Sequence, residues 1–119
     1  MPLQTYDDYG GISKEVGFII EEVQYIEWNL LAALDMDSFE NLTLGEIIRE
    51  VKKADVFNDA AIDELEEILR KRNDLVHQYF KRKDFEKHSK NLQFLKNELN
   101  YLTKFRKQIA GFNKWLRDI

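Results

Sequence analysis

The amino-acid sequence predicts an all-α fold, a bundle of four helices in which the first and fourth are long. Helix breakers are scarce, because the only proline is Pro2 and there are five glycines in 119 residues. Apolar residues recur at spacings of three and four, as one face of an α-helix requires, and no plausible β-strand is found. Four helices with short links form a bundle, and this length suits one domain spanning residues 1–119.

The first helix is predicted over about Ser13 to Leu34 from a continuous apolar stripe. The stripe consists of Ile12, Val16, Ile19, Val23, Ile26 and Leu30. The segment from Asp35 to Asn41 is then expected to be a loop. Thr43 and Glu46 fit a capping box, in which the two side chains satisfy each other's backbone N–H groups. They predict a second helix of about three turns.

The third helix is expected to begin at a cap supplied by Asn58 or Asp59 and to run to about Tyr79 or Phe80. Asparagine and aspartate both accept hydrogen bonds from the first N–H groups of a helix. Since it extends to about Tyr79 or Phe80, the third helix includes the stretch from Lys71 to Phe80, which carries most of the residues that point to function.

The fourth helix is expected to be capped by Asp84, and Gly111 is expected to kink it or end it early. Its apolar stripe consists of Leu92, Leu95, Leu99, Leu102, Ile109 and Leu116. Together with the first helix it should supply most of the core. The aromatic residues expected in the core or a dimer interface, and not as platforms for bases, are Phe94, Tyr101, Phe105, Phe112 and Trp115.

The composition excludes several classes of protein. There are no cysteines, so disulfides and thiolate metal sites are absent. The two histidines lack metal-ligand spacing, and we expect neither a metal nor another cofactor; His88 should pack against the fourth helix's stripe. No apolar run is long enough to cross a bilayer and the N-terminus does not resemble a signal peptide, so we expect a soluble, cytoplasmic protein.

Charge is segregated along the chain. Residues 1–69 hold 17 acidic and 4 basic side chains, whereas residues 70–90 hold 3 and 8. A protein with a net charge of −4 binds nucleic acid poorly overall, but a local basic patch can still hold phosphates. The alternative is that Lys81, Arg82 and Lys83 only solubilise a loop, with the acidic and basic halves pairing across the bundle.

The most informative stretch is KRNDLVHQYF, from Lys71 to Phe80. Arg72 carries a permanent charge and can fork onto a phosphate, whereas His77 titrates near neutral pH and can move protons. This pair suits phosphodiester chemistry without a metal. Asn73 lies one helical turn before His77, where its amide can orient the imidazole.

Helical geometry places Arg72 in the middle of an apolar stripe. The stripe consists of Ile62, Leu65, Ile68, Leu69, Leu75 and Val76. A charge there must be paired, hydrogen-bonded, or placed at an interface or cleft. Arg72 and His77 diverge by roughly 140° on a regular helix. They can therefore serve one substrate only if a second surface, such as a second subunit, closes a groove around them.

The run RNDLVHQY resembles the R-x4-H-x-Y motif of the HEPN superfamily (higher eukaryotes and prokaryotes nucleotide-binding), in the form found in toxins paired with minimal nucleotidyltransferase antitoxins. The four-helix prediction agrees with that superfamily's bundle. The resemblance implies a metal-independent endoribonuclease, a toxin or defence effector, built as a homodimer with one shared cleft. It also implies that Tyr79 can be adenylylated by a separate nucleotidyltransferase.

The resulting hypothesis assigns catalysis to two residues. His77 would act as general base on an RNA 2′-hydroxyl or as general acid to the leaving 5′-oxygen, and Arg72 would steady the phosphate. Asn73 would hold the His77 ring, and Tyr79 would contact phosphate or ribose. The basic residues expected to guide the RNA are Lys71, Lys81, Arg82 and Lys83.

Two alternatives remain open at this point. The first is a non-catalytic module of the same fold that binds nucleotide, RNA or a partner protein. The second is a helical interaction protein in which Arg72 is a buried cation paired with an acidic residue of the first helix, such as Glu22, and His77 has no task.

Overall fold

A computed structural model describes residues 2–35, 42–88 and 90–119, with side chains in these ranges except those of residues 2–10 and 86. This part of the chain contains six helical segments and no strand, which confirms the all-α prediction. The segments are α1 (Pro2–Ala33), α2 (Leu44–Ala54), α3 (Asp59–His77), α4 (Tyr79–Lys83), α5 (Phe85–His88) and α6 (Leu92–Asp118). Apart from Asp35, the predicted loop at Asp35 to Asn41 lies outside the described residues.

The long helices α1 and α6 lie side by side and form the main packing surface of the fold. They run in the same direction, because Glu15 Oε2 lies 2.5 Å from Arg106 Nε and Glu22 Oε2 lies 2.9 Å from Asn113 Nδ2. Their buried residues are Ile12, Ile19, Val23, Ile26 and Leu30 from α1 and Leu95, Leu102, Phe105, Ile109, Phe112 and Leu116 from α6. Most residues of the predicted stripes therefore form the core, whereas Val16, Leu92 and Leu99 are half-buried.

A buried amide sets the alignment of these two helices. Asn113 is fully buried, donates to the Glu22 backbone carbonyl at 2.8 Å and to its carboxylate, and accepts from Asn29 at 2.9 Å. A buried amide must be hydrogen-bonded, and sliding α1 along α6 would break all these bonds. Glu22 is thus occupied by Asn113 and is not placed as the partner of Arg72.

The short helix α2 begins as predicted. The Thr43 hydroxyl accepts from the Glu46 backbone N–H at 3.2 Å, and the Glu46 carboxylate accepts from the Thr43 N–H at 3.1 Å. The carboxylate also accepts from the Thr43 hydroxyl at 3.0 Å, and the two bonds that it accepts from Thr43 lower the pKa of Glu46. The helix spans 11 residues, about three turns.

Helix α3 begins at the Asn58 cap, whose side chain accepts from the Ala61 N–H at 2.9 Å. It ends at His77, earlier than predicted, because the backbone breaks at Gln78 before the five-residue helix α4. Tyr79 therefore belongs to a separate element from the rest of the motif.

The predicted start of the last helix at Asp84 is wrong. Asp84 has a left-handed backbone (φ 49°), ends α4, and caps only the one-turn helix α5 through a 3.3 Å hydrogen bond from the Lys87 N–H. Helix α6 is capped by Asn91, which accepts from the Phe94 N–H at 3.0 Å. The predicted early end at Gly111 is also wrong, because a glycine inside a helix costs only about 1 kcal/mol and the buried residues around it compensate.

The aromatic residues divide between core and surface. Phe105 and Phe112 are buried as predicted, and Phe94 is half-buried. Tyr101 and Trp115 remain 37% and 39% exposed, so they are not core residues in this chain. None of the described helices has the length and apolar character needed to cross a membrane.

Candidate functional site

Arg72 is a half-buried residue of α3. Its Nε is buried and has no hydrogen-bond partner among the described residues. The acidic group close to it is Glu27 of α1. Burial raises the pKa of the Glu27 carboxyl, and the positive charge of Arg72 opposes that rise. The half-buried guanidinium therefore has an acidic neighbour on the first helix, but Glu27 takes the place that was expected for Glu22.

His77 lies on a different side of α3. It is the last residue of the helix and is exposed, and Asn73, one turn earlier, is exposed as well. Among the described residues no hydrogen bond joins the two side chains. Because α3 is continuous from Asp59 to His77, the divergence between Arg72 and His77 persists in the structure, and one chain does not bring them together.

A cavity of about 450 Å³ opens between α3, α4 and α6. Four cations line it: Arg70, Lys71, Arg82 and Lys83. Asp74, Glu98 and the phenols of Tyr79 and Tyr101 complete the lining. The cavity thus brings together four of the eight residues assigned to the site from the sequence.

We call this cavity the cationic pocket. It does not include Arg72, Asn73, His77 or Lys81, of which Lys81 is exposed on α4. His77 is nevertheless close in register, because Arg70, Asp74 and His77 follow the i, i+4, i+7 pattern that lies along one helix face. The exposed imidazole therefore lies at the end of the α3 face that carries the pocket.

Carboxylates of the same chain neutralise most of the pocket's positive charge. Arg82 Nη2 lies 2.9 Å from Asp74 Oδ2, and Lys83 Nζ lies 3.4 Å from Glu98 Oε1. Lys71 Nζ lies 3.0 Å from Glu67 and donates to Gln108 at 3.1 Å. Within the described residues, Arg70 is the pocket cation that forms no ion pair.

Tyr79 lies at the base of the pocket and is only 1% exposed. Its hydroxyl donates to Glu98 Oε1 at 3.0 Å, and its ring stacks on Tyr101 with centroids 5.8 Å apart. Burial raises the pKa of the phenol, and the adjacent Glu98 carboxylate raises it further. The phenol is therefore protonated at neutral pH, and it can meet a phosphate or a modifying enzyme only after it leaves Glu98.

Replacing Tyr79 by phenylalanine is expected to remove one source of alkaline instability. A phenol whose pKa is raised by folding stabilises the native state fully below its unfolded pKa of about 10, and this contribution is lost as the pH rises toward the folded pKa. The wild-type protein should lose about 1.4 kcal/mol more per pH unit above about 10 than Tyr79→Phe. Urea unfolding of both proteins at about pH 8 to 11 measures this; parallel pH profiles would contradict it.

Glu98, Arg70, Asp74 and Tyr101 were not identified from the sequence as site residues. Glu98 could have been identified from the sequence, because it is an acidic residue among the apolar Leu95, Leu99 and Leu102 of the last helix. In the structure it is only 8% exposed. A buried carboxylate requires a partner on a neighbouring element, and Tyr79 supplies it.

Neither histidine belongs to a metal site in the described part of the chain, where no group of three potential ligands comes together. His88 is half-buried at the end of α5, with its ring 4.8 Å from that of Phe94. It therefore packs, as expected, but from α5 and not from within the last helix.

The chain matches no protein-family model, no curated protein and no solved structure. The likeness to the HEPN superfamily therefore depends on residues 72–79 and on the all-α architecture.

Proposed function

We propose that this protein binds single-stranded RNA and cleaves it without a metal, as a two-fold dimer of the HEPN type, acting in the cytoplasm as a toxin or defence effector. The observation that carries the proposal is the exposed His77 at the end of the α3 face that bears the cationic pocket. An RNA strand whose phosphates are bound by these cations would lie close to the imidazole of His77.

The chemistry follows from the residue types. His77 takes the proton from a ribose 2′-hydroxyl, the 2′-oxygen attacks the adjacent phosphorus, and the bond to the 5′-oxygen breaks. The imidazolium formed on His77 then returns this proton to the leaving 5′-oxygen, and Arg72 stabilises the charge on the phosphoryl oxygens. The products are a 2′,3′-cyclic phosphate and a 5′-hydroxyl, so DNA, which lacks the 2′-hydroxyl, is not cleaved.

Dimerisation is part of the proposal because Arg72 and His77 lie on different sides of α3. His77 would work with Arg72 of the partner subunit, and the buried Nε of Arg72 would then sit at the edge of the shared cleft. In the proposed supporting roles, Asn73 orients the imidazole and Lys81 guides the strand. A separate nucleotidyltransferase antitoxin could modify Tyr79 only in a state in which the phenol is free of Glu98.

A second candidate function is RNA binding without cleavage. It is favoured by the same separation of Arg72 and His77 within one chain, together with the burial of Tyr79. In this case the cationic pocket alone would define the activity.

Incubation of the purified protein with a labelled single-stranded RNA in excess chelator tests the proposal. We expect cleavage that resists chelation, leaves 2′,3′-cyclic phosphate ends, and spares the DNA of the same sequence. Retention of intact RNA would support the binding module instead. Neither binding nor cleavage of any single-stranded RNA would contradict both.

A further inference from the structure

We infer that the cationic pocket is a nucleotide subsite, in which a phosphate displaces Asp74 and Glu98 from Arg82 and Lys83 and a base stacks on Tyr101. This inference deepens the proposed function and rests on it for the source of the nucleotide. The ligand chemistry is that of a ribonucleoside monophosphate, either free or as one residue of an RNA strand.

The phosphate end of the subsite consists of cations that can exchange a carboxylate partner for a phosphate. The Arg82 and Asp74 side chains are 54% and 30% exposed, and an ion pair at such an exposed position contributes little to stability. A phosphate offers more acceptor oxygens than one carboxylate and can take two parallel hydrogen bonds from a guanidinium. The exchange of Asp74 for phosphate on Arg82 therefore costs little, and Arg70, which is attracted by Glu67 but forms no close ion pair within the described chain, adds a further cation.

The second ion pair of the pocket, between Lys83 and Glu98, is less exposed to solvent than the first. Lys83 and Glu98 are 39% and 11% exposed, and Glu98 also accepts the hydrogen bond from Tyr79. Because the phenol holds this carboxylate, Lys83 can turn to a phosphate without leaving Glu98 unpaired. The pocket thus has an intramolecular carboxylate beside Arg82 and another beside Lys83, and Asp74 is the one that competes most directly.

The base end is defined by Tyr101. One face of its ring lies against Tyr79 with centroids 5.8 Å apart, and the side chain is still 37% exposed. Stacking of a base on an aromatic side chain is favourable and does not depend strongly on which base is bound. A volume of about 450 Å³ falls within the range of small-molecule sites. The pocket can therefore hold a base as well as a phosphate.

Titration with AMP, adenosine and inorganic phosphate, followed by NMR or calorimetry in chelator, tests the inference. AMP should bind more tightly than either fragment. Arg82→Gln should weaken AMP binding about 10-fold or more, because a charged hydrogen-bond donor is lost. Asp74→Asn should strengthen it several-fold, because the competing carboxylate is removed.

Two further variants locate the base and control for bulk charge. Tyr101→Leu should weaken AMP binding but leave phosphate binding unchanged, and Lys114→Gln, an exposed charge change on α6 away from the pocket, should leave both unchanged. Circular dichroism of each variant confirms folding. Equal AMP affinity in wild type, Arg82→Gln and Asp74→Asn, or no AMP binding at millimolar concentration, would overturn the inference.

A short oligoribonucleotide distinguishes the sources. Displacement of AMP by the oligonucleotide assigns the subsite to a bound strand, whereas AMP that is not displaced assigns it to a free nucleotide. The titration does not require cleavage, so AMP binding without ribonuclease activity would reject only the cleavage proposal. Cleavage that persists without an AMP site would reject only this inference.

Discussion

Replacement of His77 by alanine is expected to reduce the rate of RNA cleavage by about 10²- to 10⁴-fold, the usual contribution of a positioned general acid or base. The loss should not come from unfolding. His77 is exposed at the end of α3, and no hydrogen bond holds its ring in the described structure. Single-turnover cleavage at saturating enzyme measures the chemical step, and thermal unfolding of the same preparation measures stability.

His88→Ala is the matched control for this prediction. His88 is half-buried and packs on Phe94, so its removal should lower the unfolding temperature while the folded protein still cleaves RNA. Undiminished cleavage by folded His77→Ala would show that the imidazole takes no part in the reaction. An equal loss of activity in both variants would point to a general effect on the fold.

Local chemistry made much of the fold predictable. Thr43 and Glu46 define the start of α2 because a capping box depends only on residues three apart, and Asn58 starts α3 for a similar reason. The apolar stripes of α1 and α6 likewise follow from helical periodicity.

The segment between α3 and α6 was not predicted correctly, because its structure depends on tertiary packing. Between the end of α3 and the start of α6 the sequence offers Asp84 and Asn91 as competing caps, and local chemistry does not rank them. The choice follows from an aromatic cluster in which Phe85 is buried with its ring 5.4 Å from Tyr79 and 5.2 Å from Phe94. Placing Phe85 there requires the break at Gln78 and the left-handed residue Asp84.

Only part of the candidate site could be predicted from the sequence. A basic segment at residues 70–90 is visible in the sequence, and Lys71, Arg82 and Lys83 do meet at one cavity. Their acidic neighbours depend on how separate helices align, which spacing along the chain does not specify. The same holds for Arg72, whose acidic neighbour is Glu27 and not Glu22. The carboxylate of Glu22, on α1, instead accepts a hydrogen bond from the buried Asn113 of α6.

The separation of Arg72 from His77 leads to the second large expected effect. If each active site combines the two residues from different subunits, Arg72→Ala and His77→Ala are each inactive alone but complement each other when mixed. A mixed dimer then has one site with both side chains intact. With random exchange half of the dimers are mixed and each has one of two sites, so about a quarter of the wild-type rate should return.

Mixing these two variants in equal amounts and measuring chelator-resistant RNA cleavage is the most direct test of the shared site. The two proteins are incubated together long enough for subunits to exchange, which a mass measurement of differently tagged subunits verifies. We predict recovery to about a quarter of the wild-type rate. An inactive mixture in which exchange has been verified, while the wild type cleaves, would contradict a site shared between subunits.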